Sequence, residues 1–101
     1  HSAQCHPRVL GNAEGGDGSY DVCVGDSIEH QASWVTLKVL KQSSRFVKLD
    51  IEGASKSKLV LKKGKSKKIV TDSDILMTLT YDGISSSSGG VMIRIETVEI
   101  N

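Results

Sequence analysis

The sequence predicts an all-β fold: a single antiparallel β-sandwich, immunoglobulin-like or related, of about seven strands with an irregular N-terminal arm. Three observations carry this. Isoleucine and valine supply 18 of the 101 residues against one proline, and β-branched side chains suit a pleated surface. Short runs alternate apolar and polar residues with period two, separated by turn residues. No run has apolar residues at helical spacing. The length is that of one domain, and with 38% apolar residues the chain fills one modest core, too small for a Rossmann unit or a barrel enzyme.

Residues 1–19 are Gly-rich and aperiodic, which predicts the irregular arm, with one short strand around residues 8–10. The sandwich domain is expected over residues 20–101. Val22 and Val24 alternate before the Gly25-Asp26 break. Residues 34–40 set Val35, Leu37 and Val39 on one face, with Thr36 and Lys38 opposite. Residues 46–52 repeat the device with Val47, Leu49 and Ile51 inward and Lys48, Asp50 and Glu52 outward. This is the pattern of half-buried antiparallel strands. After the Gly53-Ala54-Ser55 break, residues 59–61 and 67–70 read as a hairpin turned by Lys62-Lys63-Gly64-Lys65. Residues 75–81 present Ile75, Met77, Leu79 and Tyr81 to the core. Asp82-Gly83 and the Ser/Gly run 85–90 predict a flexible loop. Residues 91–96 bury Val91, Ile93 and Ile95. Val98 and Ile100 fall out of phase, which predicts a bulge near Glu96 and Thr97. Trp34 is expected to anchor a sheet face.

Two cysteines, Cys5 and Cys23, suit one disulfide in an exported chain. By loop entropy such a bridge adds about 3 kcal/mol. Two free thiols or a metal pair are the alternatives. The chain starts at His1 rather than Met, as expected after removal of a leader or tag. No stretch nears the roughly 20 apolar residues of a membrane-spanning helix.

Residues 22–96 resemble the small β-sandwich modules of archaeal surface-layer and related exported structural proteins. The resemblance rests on the Val24-Gly25-Asp26-Ser27 start, the Leu61-Lys62-Lys63-Gly64-Lys65-Ser66 segment and the strand runs between and after them. It implies an extracellular structural or assembly role and transfers no catalytic residue. His30-Gln31-Ala32-Ser33 departs from the Gly- and Leu-rich turn of that pattern, and residues 1–20 have no counterpart in it.

Charge is the most informative remaining feature. The net charge is +1, yet residues 54–69 hold seven lysines and no carboxylate. Residues 1–30 set five carboxylates against Arg8. Lys62, Lys63, Lys65, Lys67 and Lys68 form the candidate assembly or anion-binding patch, and Glu14, Asp17 and Asp21 the acidic counter-patch. Lysines that blunt an edge strand, head-to-tail docking of copies and binding of an anionic glycan or other polymer are three readings of this pattern. Lysines without arginine forks or interleaved aromatics argue against nucleic acid.

No catalytic, cofactor-binding or metal-ligating set is expected. The histidines, His1, His6 and His30, all precede residue 31, and no Gly-x-Ser-x-Gly elbow occurs. A copper brace at His1 and His6, and calcium at Asp17 and Asp21 or at Asp72 and Asp74, are weaker readings than a processing remnant and turn-capping aspartates. The expected function is that of an extracellular, self-assembling structural subunit of a surface layer or filament. The alternative is a secreted monomeric module that binds an anionic partner through the lysine hairpin.

Overall fold

A computed structural model describes residues 12–100. Nine strands form two sheets: β1 (Asn12–Gly15), β2 (Gly18–Val22), β3 (Ser27–His30), β4 (Val35–Gln42), β5 (Phe46–Glu52), β6 (Lys58–Lys62), β7 (Ser66–Val70), β8 (Ile75–Ile84) and β9 (Val91–Glu99). One sheet has the order β1-β3-β4-β5-β6 and the other β2-β9-β8-β7. Every pairing is antiparallel except that of β1 with β3. The all-β sandwich of the sequence is therefore the fold.

The period-two residues make the core. Val35, Leu37, Val39, Val47, Leu49, Ile51, Leu59 and Leu61 project from one sheet, and Met77, Leu79, Tyr81, Val91, Ile93 and Ile95 from the other; each is at least 95% buried. Burying such a side chain contributes about 1.5–3 kcal/mol, so these two apolar faces hold the sheets together.

Several expectations are corrected. Residues 12–19 are not irregular throughout: β1 lies within them and β2 begins there, because sheet pairing supplies the order that their apolar pattern lacks. Residues 1–11 lie outside the described set, and with them the strand around residues 8–10. The lysine hairpin is not a hairpin. β6 pairs with β5, β7 pairs with β8, and the chain changes sheets between them. Gly64 (φ 77°) turns this corner, its N–H donating to the Tyr81 carbonyl at 2.7 Å. The bulge near Glu96 is absent. β9 keeps unbroken register with β8 from Ile95 to Glu99, so Val98 and Ile100 stay out of phase and are exposed. Register shifts occur instead between Tyr81 and Ile84, where Asp82-Gly83 continues β8, and between Val39 and Lys41.

Candidate functional site

Strand order fixes where the charges stand. β1 and β2 are the edges on one flank of the sandwich, and β6 and β7 those on the other. The seven lysines of residues 54–69 fall on or beside β6 and β7, and the Glu14, Asp17 and Asp21 segment lies on or beside β1 and β2. The two patches are thus on opposite flanks.

On the basic flank, Lys62, Lys63, Lys65, Lys67 and Lys68 are all exposed, and none makes a salt bridge among the described residues. Lys67 lies opposite Leu79 in the register, on the core side of an edge strand, an arrangement that discourages further strand addition. A groove of about 430 Å³ between the two edges is lined by Val60, Lys62, Lys65 and Lys67. The Lys63 stem runs past Gly83, where an added Cβ would come within 3.0 Å of it.

The acidic flank is more engaged than its sequence suggests. Asp17 Oδ1 contacts His30 Nε2 at 2.8 Å and accepts from the Thr97 hydroxyl at 2.8 Å, while Oδ2 accepts from the Thr97 N–H at 3.0 Å. Desolvation pushes the Asp17 carboxyl up. The His30 ring and the two Thr97 donors outweigh it and hold the group below its ordinary range. Asp21 accepts from the Ser88 hydroxyl at 2.6 and 2.7 Å. Both aspartates thus bond to groups of their own fold, and among the described residues no group of three or more potential metal ligands occurs. Glu14 lies on β1 opposite Glu29.

Asp17, His30 and Ser33 form a chain that the sequence did not reveal, since Asp17 comes from a different segment than the His30–Ser33 turn. His30 Nδ1 lies 2.7 Å from Ser33 Oγ. The order imitates a nucleophilic triad, but His30 and Ser33 are each 1% exposed. The chain gives each of these buried polar side chains a hydrogen-bond partner. His1 and His6 lie outside the described residues, as does Cys5. Cys23 is 7% exposed, and no free cysteine is found among the described residues.

Trp34 overturns its expected role. It does not anchor a sheet face: the indole is 84% exposed. It closes a single 3-10 turn (Gln31–Ser33) in the left-handed region, φ 58° and ψ 34°. The reason is local. The reversal from β3 to β4 needs one positive φ, and Trp34 occupies that position, which turns its side chain away from the core. Glu29, His30, Gln31, Trp34, Val35 and Thr36 line a groove of about 400 Å³ there.

The Ser/Gly loop 85–90 is also more fixed than expected. Gly89 and Gly90 close a backbone pair with Ser85, at 2.9 and 2.8 Å, and the Gln42 side-chain amide donates to the Gly89 carbonyl at 3.0 Å. No helix among the described residues is long and apolar enough to cross a membrane. No protein-family model matches the chain, and neither does any curated protein or solved structure.

Proposed function

We propose that this chain is an extracellular structural module that self-associates, contributing to a surface layer or filament, and that it is not an enzyme. The observation that carries the proposal is strand order: the lysine-bearing edges β6 and β7 form one flank and the acid-bearing edges β1 and β2 the other. Complementary patches on different surfaces of one molecule favour heterologous contacts, which extend into filaments or layers wherever the rotation between copies does not close a ring. Electrostatics would orient the copies. Apolar and main-chain contacts would supply most of the affinity, since exposed ion pairs contribute only about 0–1 kcal/mol each. The likeness of residues 22–96 to exported archaeal surface-layer modules and the disulfide between Cys5 and Cys23 belong to the same proposal.

The test is light scattering and negative-stain electron microscopy of the pure protein as its concentration rises at low salt. Growing particles that dissolve in high salt, and are absent when Lys62, Lys65 and Lys67 are changed together to Glu, support the reading. Single copies at every concentration overturn it. The groove of Val60, Lys62, Lys65 and Lys67 favours a second reading, a monomeric binder of an anionic glycan. That reading predicts retention on a heparin resin, lost in the same triple variant, with no particles.

A further inference from the structure

Trp34 stands out energetically. A bulky residue in the left-handed region is strained, and an indole left 84% exposed gains little burial in return. Glycine or asparagine would make the same turn more easily. The groove beside Trp34 carries negative charge. Cross-strand register sets Glu29 opposite Thr36, and Thr36 opposite Glu52, with both glutamates exposed. The nearest cations in register, Lys38 and Lys58, share the next row with Asp50, to which Lys58 is bonded at 3.1 Å. An open aromatic face rimmed by carboxylates suits an ammonium group, which the ring attracts through its quadrupole.

We propose that this groove is a socket for a lysine from the β6–β7 flank of a second copy, drawn from Lys62, Lys65 and Lys67. The inference rests on the self-association reading and names its contact. Charge complementarity selects the occupant: the socket is acidic, and those three lysines make no salt bridge among the described residues. The β6–β7 lysines of the same copy are out of reach. Lys62 lies opposite Phe46 at one end of β5, and Thr36, beside Trp34, lies opposite Glu52 at the other. Six residues of strand separate them, about 20 Å at roughly 3.3 Å per residue, well beyond the span of one lysine side chain. Filling the socket with one of these three lysines therefore requires another molecule, whose own socket stays open for the next.

Trp34 is the single tryptophan, so its emission reports the socket directly. In the full-length protein at low salt, rising concentration should shift the emission to the blue and reduce its quenching by iodide. Pentalysine, added as a probe, should reverse particle growth. Trp34→Gly, which suits the positive φ and keeps the fold, should weaken association at least tenfold by sedimentation, as should Glu29→Gln combined with Glu52→Gln. Particles that form with unchanged tryptophan quenching, or equally well in Trp34→Gly, overturn the socket while leaving self-association standing. Single copies throughout overturn both. Saturable quenching by a neutral oligosaccharide but not by pentalysine also overturns the socket, and marks a sugar site instead.

Discussion

Asp17 sits in the turn between β1 and β2 and binds one residue of each sheet, His30 of β3 and Thr97 of β9. It staples the two layers at one end of the sandwich. Removing it in Asp17→Ala leaves the buried His30 ring without one partner, and such an orphaned group costs about 1–3 kcal/mol; urea unfolding should register that loss. Because the folded carboxyl titrates below its ordinary value near 3.8, its contribution is full above that value and disappears as the pH falls through the lower folded value. The native chain should therefore be more stable than Asp17→Asn in urea unfolding near neutrality, and that margin should disappear as the pH is taken below the ordinary carboxyl value. None of this was legible in the sequence. Asp17, His30 and Thr97 are remote from one another along the chain, and a polar contact between sheets leaves no periodic trace. Trp34 was misplaced for a related reason: a large aromatic beside an alternating run reads as core, and only the backbone angle of the turn shows that it points outward.

The strands themselves were legible wherever one face is buried, as in β4, β5, β8 and the first half of β9, because the two-residue repeat is the burial pattern. Where no such face exists the signal fails. β1 holds Asn12, Ala13, Glu14 and Gly15, and its place is set by pairing alone. The corner after β6 deceived for the opposite reason: Lys-Lys-Gly-Lys between two apolar runs is good turn chemistry, and composition does not say whether the chain returns beside itself or changes sheets. Two residues brace the ends of the sandwich. Tyr81, fully buried, donates its hydroxyl to the Ser43 carbonyl at 2.6 Å, tying β8 to the β4–β5 turn. Tyr81→Phe should lower stability by about 0.5–1.5 kcal/mol in urea unfolding. Burial also pushes the Tyr81 phenol up from its ordinary value of 10.0. The unfolded tyrosine ionises first, so stability should fall as the pH rises above 10, and this alkaline loss should shrink in Tyr81→Phe. At the opposite end of the sandwich, Gly53 has φ 93°, and an added Cβ would stand 2.5 Å from the Trp34 carbonyl oxygen. Gly53→Ala should cost about 1–3 kcal/mol, read as a lower thermal midpoint.

Across the whole molecule, the two flanks and the Trp34 groove give the sandwich a direction, with a basic side, an acidic side and an open aromatic end. That polarity was half legible. The charge blocks are plain in the sequence, but their opposition depends on strand order, which alternation does not encode. The connectivity also grades stability. β3, β4, β5 and β6 are joined through successive short links, as are β7, β8 and β9, whereas β2 reaches β9 across most of the chain, with Gly18 opposite Ile95. Closing so long a loop is entropically costly. Native-state hydrogen exchange should therefore find the amides that join β2 to β9 less protected than those joining β4 to β5. The same pairing sets a timetable for synthesis. A ribosome must make residue 95 before residue 18 can find its neighbour, so until that point the emerging strands have one layer unfinished and one apolar face uncovered, and nascent copies meeting in that interval would find each other's open faces.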